Sequence, residues 1–168
     1  MRVVSMSSEK LVTVEVDLGS RIWSGTRPVQ SIHKHLGYVM YENAEKIIIA
    51  PELTFSFEGR RLRVGHEISA NKLSTPRPSM RRLSASSEET TIVEIKYADP
   101  FHKEGILSGQ EAKDFKPSTL QILGYLVQQN ERYLWVAIAE YEYIDGTIDY
   151  ETVHVIPRES IRNIIHLE

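Results

Sequence analysis

The feature that most constrains this chain is that it repeats itself. Gly37-Tyr38-Val39-Met40-Tyr41-Glu42-Asn43 sets against Gly124-Tyr125-Leu126-Val127-Gln128-Gln129-Asn130. Each is followed by an apolar run, Ile47 to Ala50 and Leu134 to Ala137. The offset is 87 throughout and continues ungapped to Gly59 and Gly146, both in the expected turn of the next hairpin. Upstream, residues 11–17 set against 90–96 at a shorter offset, so the second half carries about eight extra residues after its first strand. Any two β-meanders share Gly-Tyr and Ile/Val runs, but two glycines and an asparagine in one register favour an internal duplication.

The local pattern is that of strands. Thr91 to Tyr97 alternates in period two, with Ile92, Glu94 and Lys96 on one side and Val93, Ile95 and Tyr97 on the other. Residues 124–129, 133–143 and 149–156 are rich in β-branched and aromatic side chains, which fit a pleated, half-buried surface. Asn130-Glu131-Arg132 and Asp145-Gly146 supply turn chemistry, so three strands follow one another as a meander. Pro157 breaks the last of them, and Ile161, Ile164, Ile165 and Leu167 fit either a turn with a short fifth strand or a terminal helix. Ser108 with Glu111 three residues on has the form of a capping box, which predicts one short helix ending before Pro117.

Five short strands, a long first loop and a short Pro-initiated turn before the last strand suit a small SH3-like or Sm-like barrel. The expected fold is therefore all-β: two such barrels in tandem over residues 1–73 and 91–168, with the short helix in the second. Residues 74–90, rich in Ser and Pro and without periodicity, are expected to be a flexible linker. In the first half Leu73 is followed by Ser-Thr-Pro-Arg-Pro where a fifth strand should come, so that edge is expected to be open or closed by Arg2 to Met6.

The second half resembles a set of short, uncharacterised bacteriophage-encoded proteins. The matching residues are Tyr97 and Asp99, Gly105, Glu111 and Ala112, Phe115 and Pro117, Gly124 to Val127, Ile156-Pro157-Arg158, Ile161 and Leu167. Two positions depart from that pattern: Tyr97 stands where tryptophan is usual, and Ile106 where an aromatic follows the glycine. The resemblance implies a phage or mobile-element accessory protein and carries over no catalytic residue.

The chain holds no cysteine, which removes disulfides, thiolate catalysis and sulfur-bound zinc. It holds no Walker A, Gly-x-Gly-x-x-Gly, Gly-x-Ser-x-Gly or His-Glu-x-x-His motif. No apolar run reaches 18 residues and no secretory signal opens the chain, so a cytoplasmic protein without membrane association is expected. The charge is uneven. Residues 1–73 hold ten Lys and Arg against eight Asp and Glu, whereas residues 91–168 hold seven against thirteen.

Five acids, Glu140, Glu142, Asp145, Asp149 and Glu151, crowd the last hairpin. They read as its solvated face, and Glu140, Glu142, Asp145 and Asp149 are the candidate contacts for a basic surface on a host protein. The leading expectation is thus a non-enzymatic protein that binds and blocks a host protein, with no cofactor, no metal and room for self-association into a homo-oligomer. One alternative is a sponge for a small nucleotide ligand, with Trp23, Arg27, Arg60, Arg61 and Arg63 as stacking and phosphate contacts. Another is an Sm-like nucleic-acid-binding protein, which the net charge of -3 disfavours. His33 and His35 share one strand face and could grip a metal, but no third ligand is local. Asp99 and His102 could form a carboxylate-imidazole pair but also suit an ordinary loop. Trp135 takes the place of Ile48 in the repeat and is expected in the core.

Overall fold

The computed structural model describes residues 11–22, 30–55, 61–64, 67–74, 77–98, 108–114 and 118–168. Those residues are mostly strand. In chain order they form β1 (Thr13–Ile22), β2 (Gln30–Glu42), β3 (Lys46–Ala50), β4 (Glu52–Phe55), β5 (Arg61–Val64), β6 (Ile68–Asn71) and β7 (Ser79–Arg82). There follow β8 (Ile92–Ala98), α1 (Gly109–Asp114), β9 (Thr119–Gln129), β10 (Tyr133–Tyr143), β11 (Ile148–Pro157), a 3-10 turn (Arg158–Ser160) and β12 (Ile161–Leu167). All twelve strands belong to one antiparallel sheet. None of the helices among the described residues is long and apolar enough to cross a membrane.

The pairings recur with the repeat. Val14 lies opposite Gly37 and Val93 opposite Gly124, and Tyr38 lies opposite Ala50 as Tyr125 lies opposite Ala137. Met40 and Val127 are each skipped in the next step, so the bulge recurs as well. The asparagines recur because each closes a hairpin. Asn43 Oδ1 accepts from the Glu45 and Lys46 amides at 2.9 and 2.8 Å, and Asn130 Oδ1 accepts from Arg132 and Tyr133, both at 2.8 Å.

The halves do not hang as two bodies on a tether. Glu52 to Phe55 of β4 pairs with Ile122 to Thr119 of β9, and Ala139 to Glu142 of β10 pairs with His35 to Ile32 of β2. Each seam joins a later strand of one half to an earlier strand of the other, and the same offset of 87 relates the two. Between them lies a core drawn from both halves: Leu36, Tyr38, Leu53 and Leu83 with Ile92, Leu123, Tyr125 and Leu167. Burying a large apolar side chain contributes roughly 1.5–3 kcal/mol, so eight of them bind the halves firmly.

Residues 74–90, expected as a linker, contain β7, whose Ser79 to Arg82 pairs with Asp17 to Val14 of β1. Leu83 is buried, and its amide donates to the Thr13 carbonyl. The first half therefore has an edge strand where an open edge or closure by Arg2 to Met6 was expected; Arg2 to Met6 lie outside the described residues. Beyond Leu83 the chain crosses to β12, through the Ala85–Leu167 bridge and the paired backbones of Ser84 and Glu168. Of the two endings expected after Pro157, the turn with a fifth strand is the one observed.

Each half also has its own core. Val93, Ile95, Tyr97, Ile122, Leu134, Val136, Ile138 and Ile156 pack in the second. Val14, Val16, Ile47, Ile49 and Ala70 pack in the first. The first is smaller because His35, Pro51 and Ala70 stand where the repeat has Ile122, Ile138 and Ile156.

Candidate interaction surface

Strand β10 pairs with β2 up to its last residue, Tyr143, and with β11 forms a long hairpin. Asp145-Gly146 makes its tip, with Gly146 at φ +81°, a conformation glycine adopts without strain. Asp145 Oδ1 accepts from the Thr147 hydroxyl and amide at 2.6 and 2.9 Å, and these bonds hold its carboxyl below the usual carboxylate range. Apolar side chains stand open along the hairpin: Ile144 at the tip is 81% exposed, and in β11 Ile148 is 44% exposed, with Val153 at 44% and Val155 at 52% nearer the base. Exposed apolar side chains spaced along an edge strand, with acids among them, suit a protein contact surface.

The predicted acids do not all lie on one face. Directly opposed residues share a face of a sheet, and Glu140 opposes Tyr150, Glu142 opposes Ile148, and Tyr141 opposes Asp149. Glu140 and Glu142 therefore lie on one face and Asp149 on the other. Lys34 of β2 donates to Glu140 Oε1 at 3.1 Å and to Glu142 Oε2 at 3.0 Å across the seam. Burial opposes the charge on Lys34, but its bonds to Glu142 and Glu140 outweigh that and hold the ammonium above its ordinary range. Glu140 is only 14% exposed and belongs to the seam, whereas Glu142 shares the same lysine but stays 43% exposed.

On the opposite face the Tyr143 hydroxyl donates to Asp149 Oδ2 at 2.9 Å, and that bond raises the Tyr143 phenol above its usual range. The Tyr141 hydroxyl donates to Glu151. Asp145, Asp149 and Glu151 have no Lys or Arg bonded to them among the described residues, and no Lys or Arg occurs from 133 to 157. Of the four predicted contacts, Asp145 and Asp149 are on offer at the surface, together with Glu151.

The other candidates divide clearly. His33 and His35 share a face as the period-two reading requires, but both are buried. His33 Nε2 bonds Ser31 Oγ at 2.8 Å, and its ring meets Tyr141 edge to face at 4.3 Å. Among the described residues no three His, Asp or Glu side chains gather as a metal-binding group. Trp23, Arg27, Arg60, Asp99 and His102 lie outside the described residues. Arg61 and Arg63 belong to β5, opposite Phe55 and Thr54 of β4. Trp135, expected in the core, is instead half-buried. Leu134 and Val136 on either side of it take the interior, and its ring meets that of Tyr133 at 6.0 Å, on the same face as Val155.

Sequence reasoning missed Val153 and Val155, which entered it only as β-branched residues of a half-buried strand. Their exposure follows from β11 being an outer strand, which local pattern does not disclose. No protein family, curated protein or solved structure matches the chain.

Proposed function

We propose that this chain is a non-enzymatic binding protein that acts by occupying the surface of another protein, through the β10–β11 hairpin. The observation that carries the reading is the exposed Ile144, Ile148, Val153 and Val155 along a hairpin whose Asp145, Asp149 and Glu151 bond no lysine or arginine among the described residues. Apolar side chains supply contact area, and uncompensated acids favour a partner with a basic surface. The resemblance of the second half to phage-encoded proteins supports a mobile-element accessory protein whose partner is a host protein of the cytoplasm. The order β12-β8-β9-β10-β11, with a 3-10 turn before the last strand, supports reading each half as a duplicated small barrel of the SH3-like or Sm-like kind.

The test is capture from a bacterial lysate, with the bound protein identified by mass spectrometry. Ile144→Asp and the pair Asp145→Lys with Asp149→Lys should each reduce recovery of that protein about tenfold, the scale of losing a central contact. Glu88→Lys, an exposed change far from the hairpin in sequence, should leave recovery unchanged. Recovery indifferent to all three variants would remove the hairpin from the function.

A further inference from the structure

Among the described residues β11 pairs with β10 alone, so no described strand completes its other edge. Which backbone groups that edge presents can be worked out from the two ends of the ladder. At the tip the Tyr143 amide bonds the Thr147 carbonyl, and at the base the Arg158 amide bonds the Arg132 carbonyl. Bonded pairs alternate along an antiparallel ladder. Counting from the tip, Asp149 and Glu151 turn toward β10, and Ile148 and Tyr150 turn away. Counting from the base, Ile156 and His154 turn toward β10, and Val155 and Val153 turn away. The two counts disagree in phase, and Thr152, at φ +52° and without a partner in the ladder, is where the phase changes. Pro157, which has no amide to offer, falls on an outward position, where proline is tolerated.

The outward backbone positions, Ile148, Tyr150, Val153 and Val155, thus coincide with residues whose side chains are exposed. Edge strands are usually guarded by lysine or covered by another segment. This one carries neither lysine nor arginine, and the charges beside it are Asp145, Asp149 and Glu151.

Resting on the reading of the hairpin as the binding surface, we infer that β11 binds its partner by strand addition. The occupant is an extended segment in which lysines or arginines alternate with apolar residues. Its backbone completes the outward amides and carbonyls, its cations face Asp149 and Glu151, and its apolar residues lie along the Ile148 and Tyr150 side. A second copy of this chain suits the edge less well, because it would bring another strand whose only full charges are acidic.

The experiment titrates the full chain with a ten-residue peptide alternating lysine with valine and threonine, and with its glutamate counterpart, while amide exchange is followed by NMR. The lysine peptide should slow exchange at Ile148, Tyr150, Val153 and Val155 by at least about tenfold, and the glutamate peptide should not. Val155→Pro, which removes an outward donor and spares the β10 ladder, should weaken lysine-peptide binding about tenfold, and Val155→Thr should not. Thermal melting of both variants checks that the fold is kept. Three results overturn the inference: no binding of the lysine peptide, binding without protection of those amides, or protection present in the free protein and lost on dilution, which would place a second copy on the edge. Binding without protection leaves the hairpin reading standing; if Asp145→Lys with Asp149→Lys also leaves peptide binding unchanged, that reading falls too.

Discussion

Gly37 and Gly124 hold equivalent places in the repeat, yet they are not equally replaceable. A Cβ built on Gly37 would lie 2.8 Å from Ile49 Cβ and 3.0 Å from its Cδ1, a side chain that can adjust in part. One built on Gly124 would overlap Val136 Cγ1 and sit 2.6 Å from the Ala137 carbonyl oxygen, which is fixed in the ladder. Overpacking of this kind costs about 1–3 kcal/mol, so Gly37→Ala should fall low in that range and Gly124→Ala at or above its top, read as urea midpoints. A second residue-scale prediction concerns two equivalent tyrosines that cross between the halves. The Tyr125 hydroxyl donates to Glu15 Oε2 at 3.0 Å; burial first and then the charge of Glu15 raise its pKa far above the ordinary value of 10.0. Tyr38 is raised likewise by burial and by Glu94, the counterpart of Glu15. The native state keeps protons that the unfolded chain loses above pH 10, so this stability is complete below that pH and lost as the pH climbs beyond it. Tyr38→Phe with Tyr125→Phe should flatten the alkaline fall in urea midpoint; a fall as steep as in the parent would disprove the assignment. The glycines were legible in the sequence because close packing leaves no other residue there. The tyrosine crossings were not, since a Tyr and a Glu in register within each half say nothing of the other half.

At the scale of elements, the two seams between halves solve one problem with different chemistry. Where β10 meets β2, Lys34 is held between Glu140 and Glu142; the equivalent positions where β4 meets β9 are Gln121, Leu53 and Phe55. Removing one member of a sheltered ion pair leaves a charge without its partner. Lys34→Ala should therefore cost about 1–3 kcal/mol, toward the lower figure because Glu142 remains 43% exposed. Replacing all three, as Lys34→Gln, Glu140→Leu and Glu142→Phe, copies the apolar seam and should restore stability to at least that of the parent, since apolar packing often equals a sheltered ion pair. Urea midpoints of the single and triple variants decide it, and a triple variant weaker than Lys34→Ala would show that the seams are not equivalent. Strands with clear alternation, such as β8, were legible, as was the asparagine that closes each first hairpin. β7 was not, because four residues among prolines and serines show no period; its strand state comes from the edge of β1. The acids of β10 were visible as a cluster, but alternation alone could not tell which of them a lysine from the other half would take.

At the scale of the molecule, the repeat is a pseudo-dimer within one chain. Each half gives four side chains to the shared core, and each gives one strand to each seam. Neither half buries that surface alone, and domains of fewer than about 90 residues have little stability in hand. The connection between them passes through Ser87, Glu88 and Glu89, all exposed, so a break there cuts no ladder and exposes no core. Its contribution is mainly to keep the halves at high effective concentration. Residues 1–87 and 88–168 made as separate polypeptides should therefore each give a collapsed amide spectrum, and mixing them should recover the dispersed spectrum of the intact chain in a 1:1 complex. Melting of that complex should rise with concentration, as it does for any association that only the native state makes. A well-dispersed spectrum from either fragment alone would mean that a half-core suffices and that the shared core is a docking contact. If mixing is required, the two halves are a single folding unit, and the β10–β11 hairpin is held rigid by contacts from the opposite half. Strand addition at its open edge requires that rigidity, because a frayed edge offers no fixed row of amides for a partner to complete.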